Sequence, residues 1–299
     1  MIRDVVEAYD KLDKRDLRIL RTIEAAHRRF EFIPHELVEK WARYRREEVR
    51  ERVKYLHRLG LLRRNAVPRL GWKITAAGLD VLALHTLSVK KKVVKLSPTP
   101  IGTGKEAVVY AGETPSGFKV AVKFHRGGVS TFRSEAFFRR KLEKYRHLTQ
   151  IYETRLSALA EFFALEKIFE AGGLVPEPIS VSRHVVVMGY IEGVELYRYS
   201  GEIGKILDDV FYTLRTAVRL GIIHGDLSPY NILAGHRGYI IDWPQWMPAT
   251  HPKAVDYLRQ DVKNIAKFFK ISPEILTREL VTEIDVGEEF KKKINAVFQ

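Results

Sequence analysis

The sequence predicts an α+β protein in two parts, a small basic part over residues 1–90 and a larger mixed part over residues 91–299. In the first part, apolar residues recur mainly at helical spacing, whereas the second part alternates short apolar runs, glycine turns and long helical patterns. The charge also changes near this boundary, because residues 1–97 hold 24 Lys and Arg against 13 Asp and Glu, within a net charge of +14 for the chain. Pattern and charge therefore both indicate two domains.

The bulk composition excludes several classes of protein. With 299 residues and 45% hydrophobic content, the chain has enough apolar material for two ordinary cores. It has no cysteine, which excludes disulfides, thiolate catalysis and Cys-ligated metal sites. No apolar run is long enough to span a membrane, and the first residues lack the basic-then-apolar order of a signal peptide. We therefore expect a soluble, cytoplasmic protein with no membrane partner.

The first part combines helices with a short β-ribbon. Helical spacing predicts three helices: Asp16 to Phe30 with Asp16 as its cap, one that begins after Pro34, and Glu47 to Leu59. The ribbon is predicted over Leu61 to Arg64 and Trp72 to Thr75, and Thr75 caps a last helix. Three helices and a hairpin are the elements of a winged helix-turn-helix domain, whose third helix enters a nucleic-acid groove. We therefore predict such a domain over residues 1–90.

The third helix is basic, with Arg50, Arg52, Lys54 and Arg58 largely off its apolar face. A basic end on a protein commonly meets a polyanion, most often nucleic acid. Two other interpretations stay open, a protein-docking module and a generally charged, heat-tolerant surface. The charge excess of the first third favours nucleic acid.

A phosphoryl-transfer pattern lies in the second part. The stretch His224-Gly-Asp-Leu-Ser-Pro-Tyr-Asn-Ile-Leu233 is followed by a glycine-containing reversal and a short strand that leads to Asp242. In a kinase-type loop, an Asp orients the attacking hydroxyl, an Asn five residues later binds a metal, and a second Asp binds the metal that bridges the phosphates of ATP. Asp226, Asn231 and Asp242 match these roles. Such oxygen ligands suit Mg²⁺, with Mn²⁺ as an alternative.

A glycine turn and a strand lysine precede this pattern. Residues 101–110 are predicted as a strand, a glycine turn and a second strand. The turn is not a Walker A loop, because Glu106 follows Lys105, and it departs from the kinase Gly-x-Gly-x-x-Gly, because Ala107 takes the third glycine position. The next strand carries Val-Ala-Val-Lys, which places Lys123 to reach the α- and β-phosphates.

The chain between these two patterns supplies the remaining elements. Residues 126–150 are basic and carry hydroxyl side chains, so we expect a mobile insert there. A long helix then runs from Ile151 to Gly172; within it, Glu161 is the acid expected to pair with Lys123, with Glu166 as the alternative.

An apolar strand over residues 185–188 leads to a predicted hinge over residues 189–193. Adenine would be held there by backbone groups near Gly189 and Ile191, with Met188 behind the ring. Two core helices are expected beyond the hinge, over Ile203 to Leu220 and over Ala254 to Phe269.

Taken together and in this order, the motifs resemble the RIO family of atypical serine protein kinases, in the subfamily that carries an N-terminal winged helix. The resemblance covers nearly the whole chain and is carried by these segments: Gly102-Thr-Gly-Lys-Glu-Ala107, Val120-Ala-Val-Lys123, Glu161-Phe162, Val175-Pro-Glu-Pro178, Met188-Gly-Tyr-Ile191, His224 to Asn231, and Ile241-Asp242-Trp-Pro. It implies a bilobal kinase-like domain over residues 91–299, with an N-lobe over 91–188, a hinge over 189–193 and a C-lobe over 194–299.

The resemblance also implies activity and partners. It implies an ATP- and Mg²⁺-dependent enzyme that phosphorylates itself on serine and takes part in maturation of the small ribosomal subunit. The basic winged helix would contact the precursor of that subunit and its ribosomal RNA. The family's metal-binding Asp is a proposed acyl-phosphate acceptor, a role that falls on Asp242 here as a hypothesis.

The resulting prediction for the site has three groups of residues. The catalytic residues are expected to be Asp226, Asp242 and Lys123, and the metal ligands Asn231 and Asp242. The nucleotide-binding residues are expected to be Gly102, Thr103, Gly104, Lys105, Glu106, Ala107, Lys123, Glu161, Met188, Gly189, Ile191, Ser228 and Asn231.

Departures from ordinary protein kinases suggest a different use of ATP. Gly225 replaces the arginine that receives an activation-loop phosphate, and Ser228 replaces the catalytic-loop lysine. There is no Ala-Pro-Glu segment, and only 57 residues follow Asp242. We expect a poor kinase for free peptides and an ATPase or self-phosphorylating switch. Two alternatives stay open, a small-molecule phosphotransferase of the aminoglycoside or choline type and a non-enzymatic winged-helix regulator.

Overall fold

The structure is a computed structural model that describes residues 2–66, 69–127, 149–274, 277 and 280. These residues form two compact units: one holds 2–66, 69–127, 149–155 and 182–185, and the other holds 156–181, 186–274, 277 and 280. Most of the insert predicted between residues 126 and 150 lies outside the described residues. Within the described parts of the chain, no helix combines the length and the apolar character that a membrane crossing requires.

In its described residues, the N-terminal region of the first unit contains five helices and three short strands. They are α1 (Ile2–Asp10), α2 (Lys14–Ala26), β1 (Ile33–Pro34), α3 (His35–Ala42), α4 (Arg46–Arg58), β2 (Leu62–Asn65), β3 (Gly71–Ile74) and α5 (Ala76–Val89). The strands form an antiparallel sheet in the order β1-β3-β2. Thr75 caps α5 as predicted, since its hydroxyl accepts a hydrogen bond from Gly78 N. All the predicted elements are present, and α1 and β1 are additional.

The cap predicted for α2 is wrong by three residues. Asp13 is the N-cap, and its carboxylate accepts hydrogen bonds from Arg15 N (2.7 Å) and Asp16 N (2.9 Å). Asp16 lies inside the first turn, where its carboxylate accepts a hydrogen bond from Asp13 N (3.1 Å) and completes a capping box. The error arose because the apolar pattern begins only at Leu17, after a polar first turn.

Arg52 does not belong to the exposed basic face of α4. Its guanidinium donates to Asp13 (2.9 Å), Asp16 (2.8 Å) and Glu48 (3.1 Å), and only 19% of its side chain is exposed. Arg52 therefore ties α4 to the start of α2. Arg50, Lys54 and Arg58 are exposed, as the prediction required.

Three further strands of the first unit form an antiparallel meander. They are β4 (Lys95–Thr103), β5 (Ala107–Glu113) and β6 (Lys119–His125). Thr103 pairs with Val108, and Val109 pairs with Lys123. This register places the predicted glycine turn, residues 104–106, at the end of the β4–β5 hairpin. Lys123 lies on the strand next to that hairpin.

The chain crosses between the units along α6 (Thr149–Glu170) and along the hairpin of β7 (Pro178–Ser182) and β8 (Val185–Gly189). Arg183 and His184 form the turn of this hairpin. The His125 N–H at the end of β6 donates to His184 O (2.9 Å), so the turn lies beside β6 within the first unit.

The second unit has a helical core with short strand pairs. Its further elements are β9 (Val194–Glu195), α7 (Ile203–Arg219), β10 (Ile222–Ile223), β11 (Ile232–Ala234), β12 (Gly238–Ile240), β13 (Met247–Pro248) and α8 (Ala254–Phe269). One sheet has the order β12-β11-β9, and β10 pairs with β13. The bounds of α7 and α8 agree with the predicted helices to within one residue.

Candidate active site

The loop that carries Asp226 is fixed by hydrogen bonds to side chains of α8. The buried Asp261 carboxylate accepts hydrogen bonds from Gly225 N (2.7 Å) and Leu227 N (2.8 Å), on either side of Asp226. Asn264, one turn further along the helix, donates its Nδ2 to Leu227 O (2.9 Å). Two helical side chains thus fix the backbone from which Asp226 projects.

Asn231 lies at the end of a short 3₁₀ turn, Pro229–Asn231, that begins after Ser228. Its backbone N–H donates to Ser228 O (2.9 Å), and its Nδ2 donates to Asp226 O (2.8 Å). This hydrogen bond uses Nδ2 and not Oδ1, the atom that would bind a metal ion. The carbonyl-type oxygen of Asn231 and the carboxylate of Asp242 are hard donors, so the donor set fits Mg²⁺.

Asp242 lies two residues after the end of the β11–β12 hairpin. Ile232 pairs with Ile240, and the Ile241 N–H donates to Asn231 O (2.9 Å), which joins the two predicted metal ligands through the backbone. Asp242 has a φ of 67°, a left-handed conformation that is uncommon for residues with a Cβ but that aspartate and asparagine adopt more readily than most. Its neighbours hold it there, because Trp243 is fully buried and its indole N–H donates to Ile240 O (3.1 Å).

His224 connects the start of the catalytic loop to this second segment. One ring nitrogen lies 3.1 Å from Ile241 O, and the other accepts a hydrogen bond from Asp226 N (3.3 Å). The imidazole also packs against the ring of Trp243, with 4.5 Å between centroids. The second unit therefore brings Asp226, Asn231 and Asp242 into one hydrogen-bonded assembly.

The glycine turn belongs to the first unit. Gly104 N donates to Ala107 O (2.9 Å), which closes the turn around Lys105 and Glu106. A Cβ added to Gly102 or Gly104 would lie 3.9 Å or 3.7 Å from its nearest neighbour, and neither residue has a positive φ. Contacts within the protein therefore do not require glycine at either position.

Lys123 lies on β6 and is only 6% exposed, while Glu161 on α6 is 1% exposed. Burial of an ionised side chain requires compensating polar partners. Glu166, the alternative acid, has 41% of its side chain exposed, next to the ammonium group of Lys167. Burial favours Glu161 over Glu166, and its pairing with Lys123 stays a prediction.

The predicted hinge begins at the end of β8. Met188 is buried, and the Gly189 N–H donates to Glu177 O (2.8 Å). Because the Gly189 N–H is already used, adenine could form a hydrogen bond at this residue only by donating to the backbone carbonyl oxygen of Gly189. The role of Ile191 stays a prediction.

Asp261, which binds the backbone on both sides of Asp226, is the main residue of the candidate site that the sequence interpretation missed. A signal was present, because Asp261 falls among the apolar positions of α8, between Leu258 and Val262. A single acid on the buried face of a helix needs hydrogen-bond partners. The sequence does not say which backbone groups those partners are.

Comparison with known proteins shows which family the chain belongs to. The family model described as the RIO domain matches residues 108–278, and the model described as Rio2, N-terminal matches residues 9–91. The chain belongs to the RIO family. The family resemblance and the fold class inferred from the sequence are therefore confirmed. As a member of this family of serine/threonine-protein kinases, the chain is an ATP-dependent phosphotransferase.

Relatives in this family come from archaea and eukaryotes. The RIO-type serine/threonine-protein kinase Rio2 of Methanocaldococcus jannaschii is 34% identical, over 81% of this chain and 92% of its own length. The rio2 kinase of Dictyostelium discoideum is 31% identical over 87% of this chain, and the chain spans 50% of that relative. The Rio2 kinase of Chaetomium thermophilum, solved as an ADP/Mg²⁺-phosphoaspartate complex, superposes with a TM-score of 0.77 at 26% identity, covering 97% of this chain and 96% of that one.

Proposed function

We propose that this RIO kinase binds ATP and Mg²⁺, transfers the γ-phosphoryl group to its own Asp242, and uses this cycle as a cytoplasmic switch in maturation of the small ribosomal subunit. The observation that carries the proposal is the fixed position of Asp242, in a left-handed backbone conformation joined to Asn231 by the Ile241 hydrogen bond. The phosphoaspartate in the solved Chaetomium thermophilum relative supports the same chemistry.

In the proposed reaction, a carboxylate oxygen of Asp242 forms a bond to the γ-phosphorus of ATP. The bond between that phosphorus and the β–γ bridging oxygen breaks, and ADP leaves with the electron pair. Water then attacks the acyl phosphate, which regenerates the carboxylate and releases inorganic phosphate. Mg²⁺, held by Asn231 and Asp242, would neutralise charge on the phosphates. Lys123 would bind the α- and β-phosphates, and Asp226 would orient the attacking hydroxyl in serine self-phosphorylation.

The packing of the residues after Asp242 supports the proposal that the protein phosphorylates free peptides poorly. In ordinary kinases this stretch forms an activation segment, whereas here only residues 243–253, which include the short strand β13, separate Asp242 from α8. Trp243 and Met247 are fully buried, and the Trp246 indole N–H donates to Ala160 O (2.9 Å). A segment packed in this way offers no extended surface for a peptide.

The function is tested by incubating the protein with Mg²⁺ and γ-labelled ATP. Free phosphate, hydroxylamine-labile label and stable serine label are measured separately. We expect phosphate release together with labile label on the protein. Stable transfer to an added peptide or small molecule, without labile label, would contradict the proposal and indicate a conventional phosphotransferase.

The glycine turn provides a test of nucleotide binding that spares the fold. At Gly104 there is room for an added Cβ, and the backbone φ is not positive, so alanine fits without strain. The midpoint of thermal unfolding of Gly104→Ala should therefore stay unchanged. If the turn approaches the phosphates closely, the methyl group should raise the KM for ATP by about tenfold or more, equivalent to about 1.4 kcal/mol. Gly204→Ala, also in open space, is the matched control and should leave KM unchanged. An unchanged KM in Gly104→Ala would show that the phosphates do not approach this turn.

The basic face of the N-terminal region supports the proposed contact with ribosomal RNA. Arg50, Lys54 and Arg58 on α4, with Arg63 and Arg64 on β2, are all exposed. Replacing Lys54 and Arg63 with Ala should weaken binding to a small-subunit ribosomal RNA fragment and lower the salt slope by about one unit for each lost phosphate contact. Lys205→Ala and Lys263→Ala, both exposed, should change neither quantity. Unchanged RNA affinity in the first pair would favour protein docking instead.

A further inference from the structure

A buried carboxylate connects α5 to the strands of the first unit. Asp80 is 3% exposed and accepts two hydrogen bonds from the Arg126 guanidinium, with distances of 2.7 Å to Oδ1 and 2.8 Å to Oδ2. The ring of His184 lies 2.6 Å from the same carboxylate. Burial raises the pKa of Asp80, but the hydrogen bonds from His184 and Arg126 outweigh it and lower the pKa below its usual value. Asp80 is therefore ionised at neutral pH.

Both partners of Asp80 reach the strands through their backbones. The Arg126 N–H donates to Glu106 O (2.7 Å), inside the glycine turn proposed to bind phosphate. His184 O accepts the His125 N–H (2.9 Å) at the end of β6, the strand that carries Lys123. The Asp80 side chain is thus linked to the glycine turn through Arg126 and to β6, the strand of Lys123, through His184.

A second contact fixes the same β7–β8 turn. Arg183 donates from Nε and Nη2 to the Glu24 carboxylate on α2, at 2.6 Å and 2.7 Å, and from Nη1 to Leu82 O (3.1 Å) and Thr86 Oγ1 (3.0 Å) on α5. Its φ is 57°, a conformation for which hairpin turns favour glycine or asparagine. The unfavourable backbone conformation of Arg183 is offset by the hydrogen bonds of its side chain. These hydrogen bonds anchor the hairpin turn on α2 and α5.

We propose that Asp80 is a positioning residue for nucleotide binding, which holds the glycine turn through Arg126 and the end of β6 through His184. The role rests on the proposed function, since it matters only if this turn and Lys123 bind the phosphates. A forked Arg–carboxylate pair is directional as well as strong, so it fixes the Arg126 backbone and not only its charge. The alternative is an anchor that stabilises the first unit without affecting the nucleotide.

The test compares two variants of the pair with a matched control. Asp80→Asn removes the charge with little change in shape, and Arg126→Lys keeps the charge but loses the fork. Glu39→Gln is the control, because the Glu39 side chain is also nearly buried, with His35 at 3.2 Å and Arg50 at 3.4 Å. ADP affinity is measured by titration in Mg²⁺, and hydrogen–deuterium exchange of residues 102–126 is measured without nucleotide.

We expect ADP binding about tenfold weaker in Asp80→Asn and in Arg126→Lys, with faster exchange in the glycine turn and unchanged ADP affinity in Glu39→Gln. If wild type binds ADP and both pair variants bind it equally well, the positioning role is wrong. If all three variants lose affinity equally, general destabilisation explains the loss and the positioning role is also wrong. If Asp80→Asn does not fold, Arg126→Lys decides. If wild type binds no ADP, the proposed function fails and the positioning role fails with it; faster exchange in the glycine turn of the two pair variants would then show only that Asp80 holds this turn in place.

Discussion

Replacing Asp242 with Asn should abolish the hydroxylamine-labile label and lower phosphate release by about 10³-fold or more. The amide cannot attack the γ-phosphorus as a carboxylate does, and it supplies a weaker metal ligand. Removal of a catalytic nucleophile commonly costs this much or more in kcat. The measurement is single-turnover incubation with γ-labelled ATP, with labile and stable label separated.

Asn is chosen because it removes the nucleophilic carboxylate of Asp242 without disturbing the backbone conformation at this position. Asp242 has a φ of 67°, and Asn is among the residues that best tolerate this region, so the variant should keep its unfolding midpoint. Asp208→Asn is the control, because Asp208 is exposed on α7, and it should react like wild type. Labile label that persists in Asp242→Asn would place the acceptor on another residue.

The second large effect is expected at Asp261. Asp261→Ala leaves the N–H groups of Gly225 and Leu227 without their buried acceptor. Hydrogen bonds to a charged group are each worth about 1.5–3 kcal/mol, so we expect a loss of about 3 kcal/mol or more in the free energy of unfolding. Displacement of the Asp226 backbone should also lower kcat by about 10²-fold, even in molecules that remain folded.

Asp256→Ala is the matched control for that effect. Asp256 lies on the same helix but is exposed, so its replacement should leave kcat unchanged and alter the stability by only a few tenths of a kcal/mol. Both quantities are measured on each variant, by denaturant unfolding and by phosphate release below the unfolding transition. A destabilised Asp261→Ala with wild-type kcat would show that α8 supports the fold without positioning Asp226.

Secondary-structure elements formed by residues close in sequence were predicted well, while the roles of the site residues stay predictions. The spacing of Asp226, Asn231 and Asp242 corresponds to a loop, a 3₁₀ turn and a tight hairpin, all set by local backbone preferences. The bounds of α8 matched because its apolar residues keep helical spacing from Ala254 to Phe269. The cap of α2 was misplaced because two acids three residues apart both suit an N-terminus, and only hydrogen-bond geometry separates them.

Residues that act across long sequence distances were not predicted. Asp261 was missed because its partners lie more than 30 residues away, and Arg52 was placed on a surface because its partners Asp13 and Asp16 belong to another helix. Asp80, Arg126 and His184 carry no local pattern, although their contacts join three segments of the first unit.

The sequence by itself determined the RIO family, the α+β fold class and the order of the phosphoryl-transfer motifs. The family is identified from the resemblance of these motifs, whereas the fold class and the motif order follow from periodicity and short-range spacing, which a chain displays before it folds. The tertiary structure decided which charged side chains are buried and which backbone groups they bind. Those partners are chosen by packing between distant segments, because a buried carboxylate such as Asp80 or Asp261 must find donors wherever the fold places them.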